Sequence, residues 1–285
     1  MKIKLTANLR QLHAHRKYVY YAMAFGLSSL ILPFGIQYLV NNLALSGMWF
    51  NTLSFLIVIG LGLFLAQLIR YSQLILGEAL QREIFVRELA RWEALENLDQ
   101  VQYFFEVPAL VKSFSKAYSH IIELCLLLVF GLSTLVLFHP AFLLLPVGIG
   151  GTLLQIYRTF PAAIKSSIQE SNQKYRIYEE LRSTAKISAS NVDAYLRDRD
   201  LHFGFAKSAA LRTGLLAGAC QLLLLALGTY LIQIDQLSVG QLVSAEIIIS
   251  GILVSLLKIP QTLEAVFDYE TSEHKIAKAT KRESP

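Results

Sequence analysis

Charged residues are scarce in this sequence. Asp, Glu, Lys and Arg make up 16% of its 285 residues, whereas soluble domains carry about 25%. Hydrophobic residues make up 54%, so the chain has too little charge to cover the surface of a soluble protein. The net charge of +5 could indicate nucleic acid as a partner, but the positions of the basic residues indicate membrane topology instead. The composition therefore predicts an integral membrane protein that contacts membrane lipid and does not bind nucleic acid.

Several chemical motifs are also absent. The two cysteines, Cys125 and Cys220, lie in apolar runs without a CxxC or Cys/His spacing, which predicts buried thiols rather than a disulfide or a metal site. The sequence has no HExxH, GxSxG or GxxxxGK[ST] pattern, so it predicts no nucleotide bound through a Walker A loop. The chain itself is therefore not expected to be an enzyme, to hold a metal or to bind a cofactor.

Long charge-free runs are what the sequence does contain. The first is Tyr18–Ile69, followed by Leu124–Tyr157 and Thr213–Ile234. About 20 helical residues cross the hydrocarbon core of a bilayer, so the first run accommodates two crossings with a reversal at Asn41–Gly47. This reasoning predicts an all-α membrane protein with one six-span domain over 18–278, between a segment 1–17 and a tail 279–285. The predicted spans are 18–40, 52–69, 120–138, 141–160, 213–234 and 241–260.

The basic residues predict the orientation of these spans. All 26 Lys and Arg residues fall in the segments 1–17, 70–116, 158–212 and 258–282. The three short turns that join the paired spans contain none. Because basic residues stay on the cytoplasmic side of a membrane, both termini and both long charged segments are expected to be cytoplasmic. The short turns are then the outer turns of a protein in the cell (inner) membrane.

The first charged segment predicts a long helical hairpin. The pairs Glu78–Arg82 and Glu83–Arg87 have favourable helical spacing, which predicts one helix over Thr52–Leu98. Proline is common at the first position of a helix, so the return helix is expected to start near Pro108, with Asp99–Val107 as the tip. Exposed aromatic side chains at a tip favour a partner's groove, although they could instead cap the tip by packing on neighbouring helices. The candidate contact residues are Gln102, Tyr103, Phe104, Phe105 and Glu106.

The second charged segment predicts a similar hairpin. Ser and Asn residues in Lys186–Leu196 are turn signals, and Ser190 or Asn191 is the expected N-cap of the next helix. The candidate contact residues of this second tip are Ser190, Asn191, Val192, Asp193 and Tyr195.

Polar residues inside the first span form one stripe. Ser29, Pro33, Gln37 and Asn41 recur every four residues, so they share a helical face. A polar stripe in a membrane is expected to face water or other protein. Packing of small and polar residues between helices is the alternative, and the sequence favours neither.

The sixth span contains the one carboxylate that lies well inside a span, Glu246. Intramembrane carboxylates usually face a cavity or a partner, so Glu246 is expected to contact a cationic group of a cargo or to gate the outer end. The alternative is an interfacial side chain that reaches the outer headgroups. Small and polar residues on another face of the span predict a helix that lines a wet pathway. The candidate pathway residues are Ser29, Gln37, Ser244, Glu246, Gly251 and Ser255.

The arrangement and three local sequences resemble the transmembrane domain of ABC exporters (the type-1 transmembrane domain). The family's first span end is similar to Pro33–Asn42, although an aspartate is common at the position of Asn42. Its first tip is similar to Leu98–Phe105, with a leucine, a spacer and paired aromatics. Its fifth and sixth spans are similar to Gly228–Val243, and Pro260 matches a proline often present in span 6. The pentapeptide Leu237–Gln241 looks like the LSGGQ signature of ABC ATPases, but it lies in a predicted outer turn and is not interpreted as one.

The resemblance implies that two such domains pair, as a homodimer or a heterodimer, and that their tips rest on ABC ATPase subunits. ATP and Mg²⁺ would be bound by that partner. Because the family usually continues into a nucleotide-binding domain and this sequence stops at Pro285, the ATPase is expected to be encoded separately. The expected function is therefore the membrane-spanning subunit of an ABC exporter, which forms the substrate pathway. An ATP-independent secondary transporter or channel is the alternative.

Overall fold

A computed structural model of the chain describes residues 13–43, 49–92, 99–184 and 187–281. Side chains are described over 15–42, 51–88, 106–184 and 187–275. The described residues are 95% helical and contain no strand. They form eight α-helices with a π-helical turn at Leu39–Leu43 and a 3₁₀ turn at Pro140–Leu143. The helices are α1 (His13–Ser28), α2 (Ile31–Tyr38), α3 (Trp49–Trp92), α4 (Asp99–Phe138), α5 (Leu144–Thr184), α6 (Ala189–Gln233), α7 (Val239–Leu257) and α8 (Ile259–Lys281).

Six helical stretches in the described ranges are long and apolar enough to cross a membrane. They contain the six predicted spans, apart from the last residue of the fifth span, Ile234. By length and composition the chain is therefore an all-α, multi-pass membrane protein. The stretches are His15–Asn42, Asn51–Glu88, Glu106–Phe138, Pro140–Thr184, Ala189–Gln233 and Val239–Lys275.

Two of these stretches are interrupted at prolines. The helix of the first span ends at Ser28 and resumes at Ile31, because Pro33 has no N–H to donate to the carbonyl of Ser29. The hydroxyl of Ser29 donates to the carbonyl of Gly26 at 2.6 Å. In the sixth span, α7 ends at Leu257 and the chain continues as α8. Pro260, in the first turn of α8, likewise has no backbone N–H to donate. Both spans therefore consist of two helical pieces.

The helix starts predicted at the two tips are wrong. Helix α4 begins at Asp99 and keeps Pro108 in its interior, and α6 begins at Ala189 rather than after Ser190 or Asn191. A proline inside a helix removes one hydrogen bond and costs about 3 kcal/mol, so tertiary packing must hold α4 together there. The residues beside Pro108 provide it, because Val107, Leu110 and Val111 are all buried. The predicted end of the preceding helix, 93–98, lies outside the described residues.

The chain divides into two compact units. Unit 1 comprises Met1–Leu80, Ser119–Gly151 and Gly214–Leu257. Its core consists of apolar side chains of α4, α5, α6 and α7, and Gly131 lets α7 approach α4, since a Cβ at Gly131 would lie 2.9 Å from the Cδ1 of Ile252. Several of these core side chains have no exposed surface: Leu135, Leu145, Leu224, Ile249, Ile252 and Leu256.

Unit 2 comprises Gln81–Tyr118, Thr152–Thr213 and Lys258–Pro285. Helix α8 packs on its other helices through aromatic rings. Tyr269 contacts Phe114 of α4 with ring centroids 5.6 Å apart, and Phe267 contacts Phe160 of α5 at 5.7 Å. The ring of His202 on α6 meets Phe267 edge-on at 5.2 Å. Helix α8 is thus a structural element of unit 2.

Candidate functional site

The first predicted tip lies in the opening turns of α4. Gln102, Tyr103, Phe104 and Phe105 are helical, and their side chains fall outside the described part of the structure. The prediction that they contact a partner therefore stays a prediction. Because α4 begins at Asp99, they belong to the helix itself rather than to a separate segment. Any force on them would act directly on the end of a helix of 40 residues.

Glu106, the last residue of this predicted set, faces the chain's own helix α8. Its Oε1 lies 2.7 Å from the Nζ of Lys275, and the side chains of Glu106 and Lys275 are 19% and 26% exposed. Its Oε2 accepts a hydrogen bond from the hydroxyl of Ser272 at 3.1 Å. Both carboxylate oxygens are thus engaged within unit 2. Glu106 therefore fastens the start of α4 to α8, a role that the sequence pattern did not indicate.

The second predicted tip is held by a carboxylate that sequence analysis missed. Glu180, near the end of α5, accepts hydrogen bonds from the backbone N–H of Ser188 at 3.1 Å and from the side-chain amide of Asn191 at 2.7 Å. The hydroxyls of Ser188 and Ser190 lie 2.7 Å apart. One carboxylate thus joins the end of α5 to the start of α6. No local signal marks Glu180, because its partners lie eight and eleven residues further along the chain.

The surface of this second tip is mixed in character. Ser190 and Asp193 are exposed, whereas Asn191, Val192 and Tyr195 are partly buried. Beside them Ile187 is 48% exposed. The predicted contact residues of this tip therefore lie together in the first two turns of α6, with Asn191 turned toward Glu180. A partner would meet an apolar side chain flanked by a hydroxyl and a carboxylate.

The polar stripe of the first span packs on α7. The hydroxyl of Ser244 donates to the carbonyl of Pro33 at 2.5 Å, and Ser244 is completely buried. The amide of Asn41 donates to the hydroxyl of Ser238 at 3.0 Å, while its oxygen accepts from the backbone N–H of Gly240 at 3.0 Å. Of the two readings that the sequence left open, helix packing thus accounts for Pro33 and Asn41. The hydroxyl of Ser29 instead donates to a backbone carbonyl of its own helix. Gln37 is partly buried, and its Oε1 has no hydrogen-bond partner among the described residues.

The LSGGQ-like pentapeptide has a structural explanation. Ser238 precedes α7, and its hydroxyl accepts from the backbone N–H of Gln241 at 3.1 Å. The side chain of Gln241 in turn accepts from the backbone N–H of Ser238 at 2.9 Å. This reciprocal pair is a capping box, for which the sequence S-x-x-Q is the signature. The pentapeptide therefore starts a membrane-spanning helix, as its spacing alone could have indicated.

Glu246 faces Gln221 of α6. The amide of Gln221 donates to its Oε1, and the hydroxyl of Ser250 approaches the same oxygen at 3.4 Å. The Oε2 of Glu246 is buried and has no hydrogen-bond partner among the described residues. A carboxylate buried without a full set of partners is costly in an apolar setting. The Oε2 of Glu246 is therefore an available acceptor for a hydrogen-bond donor or a cationic group.

The other two candidate pathway residues of α7 lie on different sides of it. Ser255 is 2% exposed, whereas Gly251 is exposed and a Cβ placed on it would meet nothing within 4 Å. Within this chain, open space therefore exists beside Gly251, and Ser244 and Ser255 pack inside. The six candidate residues thus do not form one continuous exposed surface in a single chain, and their assignment to a pathway stays a prediction.

A scan against protein-family models and a search of curated proteins both gave no match to the sequence.

Proposed function

We propose that this chain is the membrane-spanning subunit of an ABC exporter, with its substrate pathway formed by two such subunits and driven by an associated ABC ATPase. The observation that carries the proposal is the length of four helices. Helices α3, α4, α5 and α6 have 44, 40, 41 and 45 residues, or roughly 60 Å or more each at 1.5 Å per residue. A hydrocarbon core of about 30 Å accounts for only half of that length.

Long paired helices suit a transmission role. Each backbone hydrogen bond of a helix is internal, so a helix can transmit displacement of its end over its length. In the proposed orientation the tips at Gln102–Glu106 and at Ser190–Tyr195 lie in the cytoplasm, where they contact the ATPase. Closure of the ATPase on ATP would move both tips, and the four helices would pass this motion to the spans. The Glu180 contacts support the proposal, because they couple α5 and α6 at the second tip.

The aromatic tip provides the direct test. We expect the triple variant Tyr103→Glu, Phe104→Glu and Phe105→Glu to reduce co-purification of the ATPase at least about tenfold, since unpaired charge in the buried centre of an interface costs several kcal/mol. The measurement is affinity purification of the tagged full chain from its native membranes in mild detergent, with mass spectrometry of the bound proteins. The matched control is Phe203→Glu, which changes an exposed aromatic of α6 away from both tips.

The wild-type chain should bring down a stoichiometric subunit that carries a Walker A loop, and Phe203→Glu should bring down as much. If a monodisperse preparation of the triple variant recovered as much ATPase as the wild-type chain, the assignment of this tip as an ATPase contact would be refuted. If the wild-type chain were recovered without an ATPase, under conditions that preserve known ABC complexes, the proposed ABC function would be refuted.

Glu246 favours the second candidate, an ATP-independent ion-coupled transporter or channel. If the proposed function is right, the purified chain alone in liposomes leaves proton and sodium gradients intact, and Glu246→Gln behaves as wild type. The measurement is fluorescence from pH-sensitive and sodium-sensitive dyes trapped in the liposomes. A gradient that collapses with the wild-type chain and persists with Glu246→Gln would establish the second candidate, because the substitution keeps the size of the side chain and removes its negative charge.

A further inference from the structure

Helices α6 and α7 are consecutive, antiparallel helices within unit 1, and they meet where the amide of Gln221 donates to the Oε1 of Glu246. About one turn further from the outer turn that joins them, the two helices reach Gly218 and Gly251. Both glycines are exposed, and a Cβ placed on either one would meet nothing within 4 Å. The two helices therefore leave open space beside one carboxylate. We call the space at Gly218 and Gly251 the α6–α7 notch.

The carboxylate of Glu246 has no cationic partner in the described ranges. No Lys, Arg or His there forms an ion pair with it, and its Oε2 is buried without a hydrogen-bond donor. The nearest basic residue further along its own span is Lys258, about 18 Å away at 1.5 Å per residue. A carboxylate inside a membrane span is normally paired or faces water. The missing partner is therefore a cationic group from outside the described part of the chain.

A second copy of the chain does not supply that group. All 26 Lys and Arg residues lie in the four segments that are predicted to be cytoplasmic, so a copy with the same topology has no Lys or Arg at the depth of Glu246. The hydrocarbon of the membrane is an equally poor neighbour, because a carboxylate that faces it is costly. This surface of α6 and α7 is therefore expected to face the substrate pathway, where a separate molecule brings the cation.

Apolar side chains flank the notch. Leu215 and Leu222 of α6 lie about one turn on either side of Gly218, and Val254 of α7 lies about one turn from Gly251. All three side chains are more than half exposed, so they are available to the apolar body of a ligand. The notch thus combines one carboxylate with apolar walls, which fits an amphiphile that carries a single cationic group.

We propose that the substrates of this exporter include amphiphilic organic amines, whose ammonium group binds Glu246 and whose apolar body lies against Leu215, Leu222 and Val254. The ammonium donates hydrogen bonds to the carboxylate, and such charge-assisted bonds are the stronger ones. The flexible amide of Gln221 moves aside to admit it. This inference rests on the proposed function, because it makes the notch a part of the substrate pathway.

The test measures binding of two fluorescent probes to the purified full chain in nanodiscs of phosphatidylcholine. The probes are dansylcadaverine, which ends in a protonated primary amine, and N-pentyl dansylamide, which has the same fluorophore and chain without the amine. We expect Glu246→Gln to weaken dansylcadaverine about tenfold and to leave N-pentyl dansylamide unchanged, because the substitution keeps the size of the side chain and removes its charge. Comparison of each probe between variants cancels its partition into the lipid.

Two further comparisons locate the site. Asp235→Asn removes a carboxylate from the exposed outer turn between the same two helices, and it should bind both probes as the wild-type chain does. Gly251→Val fills the notch and should weaken both probes several-fold. Its control is Gly60→Val, since Gly60 is an equally open glycine on α3.

Three results would overturn the proposal. The first is wild-type affinity for dansylcadaverine in Glu246→Gln. The second is an equal loss of both probes in that variant, because the charge would then not be what the site recognises. The third is wild-type affinity for both probes in Gly251→Val, which would show that the notch is not the site.

Other cations give different results. If sodium chloride displaces dansylcadaverine and choline chloride at the same concentration does not, the site binds an inorganic cation and the proposal fails. If phosphatidylethanolamine in the nanodiscs abolishes the effect of Glu246→Gln, the cation is a lipid amine and the proposal fails as well. Binding that depends on Glu246 and Gly251 and persists in both conditions supports it.

The ATPase co-purification described above separates this inference from the proposed function. A chain that recovers the ATPase but shows no dependence of amine binding on Glu246 refutes the amine site and keeps the ABC function. A chain that binds the amine through Glu246 but recovers no ATPase refutes the ABC function and keeps the amine site.

Discussion

Replacement of Gly240 by valine is expected to lower the free energy of unfolding by about 3 kcal/mol, near the upper end of the range for overpacked sites. A Cβ at Gly240 would lie 2.7 Å from the backbone oxygen of Gln37, and a backbone atom cannot rotate away as a side chain can. The same Cβ would meet the side chain of Asn41, whose hydrogen bonds to Ser238 and to the Gly240 N–H would be lost. The start of α7 would then separate from the end of the first span.

Gly251→Val is the matched control, because it places the same side chain on the same helix in open space. Valine has a higher helix propensity than glycine, so this variant should be at least as stable as wild type. The measurement is chemical unfolding of the purified protein in mild detergent, followed by circular dichroism. Equal midpoints for the Gly240 and Gly251 variants would show that the first span and α7 do not approach each other as described.

Replacement of Glu180 by alanine is expected to release the second tip. The variant loses both hydrogen bonds to the carboxylate, and such bonds contribute roughly 1.5 to 3 kcal/mol each when the acceptor is charged, less where water competes. Amide hydrogen exchange at Ser188–Val192 should accelerate at least about tenfold, because the backbone N–H of Ser188 and the side chain of Asn191 lose their acceptor. If the proposed function is right, co-purification of the ATPase should fall as well.

The control for this variant is the neighbouring carboxylate. Glu179 is exposed, so Glu179→Ala removes the same charge from the same turn of α5 and should leave hydrogen exchange at the tip unchanged. The exchange measurement tests the contact itself, whereas the co-purification tests its role. Faster exchange without loss of the ATPase would keep the structural assignment and refute the coupling role of this tip.

The six spans could be predicted because hydrophobic length and the placement of charge are determined locally. The helix ends could not, and Pro108 shows why. Proline is a local signal for a helix start, but burial of Val107, Leu110 and Val111 stabilises a helix that continues through it. Packing of this kind depends on residues far away in sequence. A single sequence read by local rules therefore placed the start of α4 near Pro108, although it lies at Asp99.

The sequence predicted some of the contacts at the candidate site and could not predict others. Asn41 could be assigned to the polar stripe by its spacing, and the S-x-x-Q pattern at Ser238 was a readable capping signal that its likeness to an ATPase signature concealed. The sequence could not decide between helix packing and a substrate pathway for the polar stripe. The spacing shows only that these residues share a helical face, and it does not show which helix or solvent that face contacts. Glu180 could not be found at all, since one carboxylate among several on a charged helix becomes distinctive only when the chain reverses.

The contacts between the first span and α7 also set an order of events during biosynthesis. Asn41 and Ser238 are 197 residues apart, and the partners Pro33 and Ser244 are 211 apart. At about 5–20 residues per second, the ribosome needs roughly 10–40 s between making one side of this interface and the other. The span that carries Pro33 and Asn41 is therefore made before their partners Ser244 and Ser238 exist. Its docking waits for α7, which makes this interface a late step of folding.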